Sequence, residues 1–297
     1  MKIIDFRKTT YIISGILVGA SLLSLAVWGL KLGIDFTGGS LLEIEYVGMR
    51  PENSLVLDSL LKIGITDAIL QPTGAKGLIL RLPDMNEEKH QEILIALGGP
   101  KVLIDKQFTS IGPTIGKELR RNSLWAIAAV MLAIVAYIAW AFRQVSRPIA
   151  SWKYGIAALI ALIHDVTIPT GIFAIMGRFY GVTIDTLFVT ALLTILGFSV
   201  HDTIVVFDRV RENLKKIGQR ESFDEIVERS LRQTIVRSIN TSLTVMLAML
   251  ALYIFGGLTT KYFALAILIG VFFGTYSSIF IASFILITWN HWSLRRT

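Results

Sequence analysis

TIDTLFVTALLTILGFSVHDTIVVF, running from Thr183 to Phe207, decides the fold class. A helix of about 20 apolar residues crosses a bilayer, and this stretch is long enough. Yet four-fifths of the way along it stand His201 and Asp202. An ionisable group inside a span costs about 2.5–3.5 kcal/mol on insertion scales, so it normally faces a protein interior or wet cavity and is paired or titrates. The next apolar stretch opens behind Arg237, which makes that arginine the candidate partner of Asp202.

Thr183, Thr186, Thr190, Thr194, Gly197 and His201 recur at spacings of three and four, which puts them on one helical face. Small residues on one face point to close helix packing, and Gly270, Gly274 and Ser278 repeat the theme further on. Asp202 borders the stripe. It is either one half of a static bridge to Arg237, or a titrating carboxylate that the arginine holds in one state and releases in another. His164–Asp165 forms a similar dipeptide in the preceding span, ahead of Thr167 and Pro169. Two ionisable centres in neighbouring helices suggest a relay, with Asp165 as a second ion-coupling candidate and His164, His201 and Thr194 as candidate supports. A buried carboxylate steadying a helix broken near Pro169 is the other reading of Asp165.

Working outward, the composition agrees with a membrane protein. The 297 residues include no cysteine and only 17% charged side chains, and the mean hydropathy is +0.63. The apolar runs predict six spans, at Tyr11–Leu30, Ser123–Phe142, Tyr154–Met176, Thr183–Phe207, Ile239–Phe255 and Phe263–Thr288. The first lacks a clear small-x-small cleavage site and reads as an uncleaved span. The net charge of +7 gathers on one side: Lys2, Arg7 and Lys8; Arg143, Arg147 and Lys153; the stretch from Arg209 to Arg237; Arg295 and Arg296. The opposite short loops hold only Arg178 and Lys261. This asymmetry places both termini in the cytoplasm and needs no nucleic-acid partner to explain it.

The domain reading is a tail and first span over 1–31, an extracytoplasmic domain over 32–121, and a five-helix membrane domain over 122–297 with a cytoplasmic loop at 208–237. The outer segment alternates as strand Leu41–Val47, helix Ser54–Ile63, strands Thr66–Gln71 and Gly77–Leu82, helix Glu87–Leu97 and strand Val102–Phe108. That βαββαβ order predicts a small α+β ferredoxin-like domain. In the loop, Ser222 and Glu225 form a capping box that starts a helix able to continue into the fifth span. No phosphate loop, metal cluster or nucleophile triad is present, so neither an enzyme nor a nucleotide-driven motor is expected. Gly33-Ile-Asp-Phe-Thr-Gly-Gly39 is glycine-rich but leads into a strand, and reads as the turn leaving the first span, with Asp35 satisfying local amides.

That same heptapeptide, with Asp35, Phe36, Gly38 and Gly39, resembles the signature after the first span of the SecD/SecF family, in the resistance-nodulation-division superfamily. GFSVHDTIVVFDRVREN, Gly197–Asn213, is similar to the fourth span and exit of its SecF-type members, and Phe255–Gly257 and Gly270–Ser278 fit as well. The resemblance covers nearly the whole chain. It implies a bacterial cytoplasmic-membrane protein that pairs with SecD, associates with the SecYEG channel and the lipid bilayer, and acts on the translocating preprotein, with YajC and YidC as further candidate partners. It implies that a proton or sodium gradient, with no bound cofactor, drives export, and that Asp202 and Arg237 occupy ion-coupling positions. A passive scaffold is the rival from another class; it would tolerate Asp202→Asn. A small-molecule exporter of the same superfamily would carry a larger outer domain.

Overall fold

The computed structural model describes residues 2–143, 149–217 and 220–295, apart from the side chains of residues 258 and 259. Arg147 and Arg296, counted among the orienting charges, lie outside that set. In chain order the elements are α1 (Arg7–Trp28), α2 (Ile34–Thr37), β1 (Gly39–Tyr46), α3 (Asn53–Lys62), β2 (Ile69–Thr73), β3 (Gly77–Leu82), α4 (Glu87–Ala96) and β4 (Leu103–Ile111). There follow α5 (Pro113–Ala141), α6 (Ser151–Tyr180), α7 (Thr186–Ile217), α8 (Phe223–Phe255), α9 (Leu258–Tyr276), a π-helical turn (Ser277–Ala282) and α10 (Ser283–Leu294). Two compact units result, Leu32–Leu124 and Met1–Lys31 with Trp125–Thr297.

Among the described residues, six helices are long and apolar enough to cross a membrane; the last is built from α9, the π turn and α10. The first of them, α1, packs inside-out relative to a helix of a water-soluble bundle. α1 buries Thr10, Ser14, Ser21 and Ser24 while Ile12, Ile16, Leu22, Leu23 and Val27 stay exposed. With lipid as the solvent, apolar burial gives little advantage, so the helices associate through small side chains and hydrogen bonds instead. Ser24 donates to the Gly171 carbonyl at 3.0 Å, and a Cβ on Gly171 would collide with Ser21. α6 runs through Pro169 without interruption, so the broken helix in one of the two readings of Asp165 is not formed. Aromatic packing closes the end of the bundle nearer the loop between α7 and α8. Phe142 stacks on Tyr154, with Phe207 edge-on to both.

The capping box at Ser222 forms as expected. The Ser222 hydroxyl accepts from the Glu225 amide, and the Glu225 carboxylate accepts from the Ser222 amide. α8 then continues without a break to Phe255, its polar first turns merging with the span. α5 and α7 likewise extend beyond the apolar stretches read from the sequence, since helical hydrogen bonding continues into water where lipid solvation stops.

The smaller unit keeps the predicted βαββαβ element order, and its four strands form an antiparallel sheet in the order β2-β3-β1-β4. Alternate residues of β1 (Leu42, Ile44, Tyr46) and β3 (Leu78, Leu80, Leu82) point into one core, with Leu42 opposite Leu80 and Ile44 opposite Leu78. Val56 and Leu60 of α3 and Ile93 and Leu94 of α4 fill that core. The Gly33–Gly39 stretch is more structured than a turn. It makes the single helical turn α2, burying Ile34 and Phe36. Gly38 and Gly39 have φ of +78° and +124°, and a Cβ on Gly38 would lie 2.7 Å from the Pro113 Cα. A Cβ on Gly39 would lie 2.8 Å from the Leu82 carbonyl oxygen. Both positions therefore require glycine on conformation and on space.

Candidate functional site

α6 carries His164 and Asp165 into the middle of the helical unit, where both are buried and Asp165 has no exposed surface. Asp165 is fully engaged. Its Oδ1 lies 2.8 Å from His164 Nδ1, and its Oδ2 accepts from the hydroxyls of Ser199 at 2.5 Å and Ser277 at 2.7 Å. One carboxylate thus ties together α6, α7 and the π turn. The His164 ring stacks on Tyr276 and meets Phe273 edge-on. Its Nε2 is buried without a hydrogen-bond partner among the described residues. With the proton on Nδ1, that atom is a bare lone pair, cheaper to bury than an unpaired N–H.

The π turn is why Ser277 arrives there. Widening the helix by one residue lets Ser283 donate to the Ser278 carbonyl five residues back at 3.1 Å. Ser278 in turn donates to the Ser199 carbonyl at 3.1 Å and lies 2.8 Å from the Thr203 hydroxyl. Gly270 and Gly274 allow this approach. A Cβ on Gly270 would collide with Ile195, and one on Gly274 would lie 3.1 Å from the Ser199 Cβ.

Asp202 sits on α7, less than one turn beyond Ser199, and is only 2% exposed. Its surroundings are poorer. Ser242 of α8 donates to its Oδ2 at 3.3 Å, a long contact. The same hydroxyl also reaches the Ser238 carbonyl at 2.8 Å and makes a very short contact with Thr275, whose own hydroxyl reaches the Val271 carbonyl at 2.9 Å. Two hydroxyls carry two protons, so Ser242 and Thr275 cannot satisfy both carbonyls, each other and the carboxylate at once. Asp202 is buried beside two contested donors, Ser242 and Thr275.

The expected Asp202–Arg237 ion pair is not made; among the described residues no cation lies within 4 Å of Asp202. The reason is angular. Arg237 is five residues from Ser242, roughly 140° around the helix at 100° per residue, so it faces elsewhere when Ser242 faces Asp202. Arg237 is exposed and lines a cavity of about 460 Å³ with Tyr137, Asp208, Arg209, Glu212 and Thr234.

The threonine stripe also differs from its packing reading. Thr190, Thr194, Gly197 and His201 are all exposed, and a Cβ on Gly197 would meet nothing within 4 Å. Thr190 and Thr194 bond back to carbonyls one turn earlier, so this is a polar face on α7 that this chain leaves uncovered. Asp185 accepts from the Phe188 amide at 2.9 Å and caps the start of α7. Sequence reasoning passed over Ser199, Ser242, Thr275 and Ser277. The Ser277–Ser278 pair inside an apolar span was the available signal.

The model of the SecD/SecF C-terminal region of protein export membrane proteins matches residues 98–292, and that of the SecD/SecF GG motif matches residues 23–47. The chain belongs to the SecD/SecF family. Among the SecF proteins of that family, the protein translocase subunit SecF of Thermobaculum terrenum is 47% identical, over 98% of this chain and 94% of its own length. SecF of Anaerolinea thermophila is 40% identical, over 98% and 94%. The crystal structure of SecDF, a translocon-associated membrane protein from Thermus thermophilus, superposes with a TM-score of 0.83 at 31% identity. The match covers 98% of this chain and 39% of that one. These relatives are named as translocase subunits, and this chain is a multi-pass membrane component of protein transport, not an enzyme. The matched glycine-rich motif includes Gly38 and Gly39, where space and φ both call for glycine.

Proposed function

We propose that this chain is the SecF half of a two-half export machine, paired with a SecD half, which uses a proton or sodium gradient to promote protein export through the SecYEG channel. Asp202 is its ion-exchanging group. The observation that carries this is the contrast in hydrogen bonding: Asp202 is buried beside two hydroxyls, Ser242 at 3.3 Å and Thr275, that are also claimed by carbonyls and by each other, whereas Asp165 has three partners at 2.5 to 2.8 Å. A carboxylate whose solvation is incomplete in one conformation gains most by taking up a cation or by repacking. Protonation removes its charge and lets α7 and α8 shift relative to each other, bringing Arg237 toward the pocket in another state. Asp165 is the fixed point of the bundle rather than a relay member.

The uncovered face of α7 at Thr190, Thr194, Gly197 and His201 supports a docking site for the SecD half, and the fused SecDF of Thermus thermophilus supports the pairing. Both termini and the 208–237 loop lie in the cytoplasm of a bacterial inner membrane, on the lysine and arginine asymmetry. The outer unit, ferredoxin-like in its element order, contacts the emerging preprotein without sequence preference. YajC and YidC are further partners on the family resemblance alone.

The test is gradient-driven export in vesicles holding the SecD-paired complex and the channel. Asp202→Asn keeps the fold and the SecD pairing and removes the gradient-dependent part of export. Normal export by that variant under a measured proton or sodium gradient makes the chain a passive scaffold.

A further inference from the structure

α8 is held very unequally along its length. Its buried residues run from Phe223 to Ser242, and beyond Ser242 none of its residues is buried; Leu247, Ile254 and Phe255 are 57%, 60% and 86% exposed. The half nearer the α7–α8 loop is anchored instead. Phe223, Val227 and Leu231 sit in the apolar core of the bundle. Asp224 meets His291 of α10, whose Nε2 lies 2.9 and 3.0 Å from its two carboxylate oxygens. With its proton on Nε2, a neutral His291 donates there as a charged one does. Glu228 accepts from the Ile4 amide of the N-terminal segment at 3.1 Å.

A further anchor joins α8 to α7. Asn213 of α7, only 5% exposed, donates through its side-chain nitrogen to Ser230 Oγ and Gln233 Oε1, both at 2.9 Å. Arg209 Nε donates to the same Gln233 oxygen at 2.6 Å. Farther along, the two helices meet through the long 3.3 Å contact from Ser242 to Asp202. Ser242 lies about 18 Å along the helix from Ser230, and Ile254 about 36 Å. A tilt of about 5° at Ser230 therefore moves Ser242 by about 1.6 Å and Ile254 by about 3 Å. The smaller movement is enough to break the contact with Asp202. Gly256 and Gly257 alone connect the far end of α8 to α9, and glycine absorbs a change of backbone angle most easily.

We propose that α8 is a lever pivoted at Asn213, Ser230 and Gln233, with the Ser242–Asp202 contact as its latch. Neutralising Asp202 opens the latch, and the half beyond Ser242 swings while the loop-side half stays in place. This rests on Asp202 being the exchanging group, and it gives the shift between α7 and α8 a fixed point and an amplitude. α6 and α7 form the still side of the joint, since Ser199 of α7 donates to Asp165 of α6. A neutral carboxyl holds a hydroxyl donor less strongly than a carboxylate does. Ser242 keeps its own bond to the Ser238 carbonyl when it leaves. The charged groups around Asp202 are His201 beside it on α7 and Arg237 on α8, with Asp165 of α6 behind Ser199; from α9 comes the neutral Thr275.

The natural chain has no cysteine, so pairs of introduced thiols carry spin labels to chosen helix ends in the full chain, paired with a cysteine-free SecD in lipid nanodiscs. Trp152→Cys with Arg229→Cys reports the pivot end. Phe179→Cys or Val27→Cys, each with Ile254→Cys, reports the swinging end from two directions; all five native side chains are exposed. Between alkaline and acidic pH, double electron–electron resonance is expected to show at least one far pair shifting by about 3 Å and the pivot pair by under about 1 Å. In Asp202→Asn the far pairs are expected at their acidic distances at both pH values. Equal shifts at the two ends, or far pairs that stay fixed, overturn the lever. If Asp202→Asn loses gradient-driven export alongside that result, the exchange reading stands and only the lever fails. Far pairs that still respond to pH in Asp202→Asn, with the pivot pair fixed, keep the lever and overturn Asp202 as the exchanging group.

Discussion

Two aspartates lie close together in this bundle, and their surroundings could hardly differ more. Asp165 is held by three partners from three different segments, at 2.5 to 2.8 Å. Asp202, also hidden, has a long contact with Ser242 and shares Thr275, and both hydroxyls are already claimed by other acceptors. Burial therefore does not by itself identify a working group. What separates a fixed carboxylate from a switchable one is how completely its lone pairs are answered, because a satisfied network is costly to disturb and an incomplete one has somewhere to go.

The largest stability difference is expected from Asp165→Ala, which removes the acceptor shared by Ser199 and Ser277 and leaves His164 buried without its partner. Breaking a buried pair of this kind costs about 3–5 kcal/mol, read as lost thermal stability of the full chain in detergent. A change of under about 1 kcal/mol would erase the distinction between the two aspartates. Gly274→Ala comes next. Its Cβ would stand 3.1 Å from the Ser199 Cβ and 3.6 Å from Asp165 Oδ2, and overpacking at such a junction costs about 1–3 kcal/mol. Gly197→Ala is its counterpart on the open face. With nothing within 4 Å, it is expected to leave the isolated chain as stable or gain up to about 1 kcal/mol of helix propensity. It is expected to weaken pairing with SecD, measured by co-purification. Equal destabilisation by both alanines would contradict the assignment of one face as packed and the other as open.

Asp202→Asn is expected to change stability by less than about 1 kcal/mol, since it keeps the size of the side chain and disturbs only contested hydrogen bonds from Ser242 and Thr275. The smallest effect belongs to the outer unit, where Lys106 lies 2.9 Å from Glu45. Its hydrogen bond and charge hold the Glu45 carboxyl below the ordinary glutamate range and raise Lys106. A depressed carboxyl stabilises above its unfolded pKa, and that contribution fades as pH falls through the folded value. Lys106→Ala should move the Glu45 titration back up, seen by NMR, with melting barely altered because the pair is exposed and screened.

The spans were legible because twenty or so apolar residues leave few alternatives, and the α8 start because Ser222 and Glu225 make both halves of a capping box. Alternation in Leu42, Ile44 and Tyr46 revealed β1, for only a strand buries every second residue. The partners of the aspartates were not legible. Ser199 and Ser277 were passed over, and a π turn at Ser277–Ala282 leaves no periodic trace that a six-residue window can hold. The Asp202–Arg237 pairing was inferred from matching depth alone. Depth is set by sequence position, but facing is set by rotation about the axis, and Ser242 rather than Arg237 faces the carboxylate. The exposed stripe on α7 misled for a related reason: small polar residues on one face signal a helix contact without saying whether the partner helix belongs to the same chain.

The most direct measurement is the infrared difference spectrum of the SecD-paired complex between alkaline and acidic pH, recorded for the natural chain and for the Asp202→Asn and Asp165→Asn variants. The account predicts a protonated-carboxyl band on acidification that vanishes in Asp202→Asn and persists in Asp165→Asn. A band that persists in Asp202→Asn and vanishes in Asp165→Asn would assign the exchange to the satisfied aspartate and contradict it.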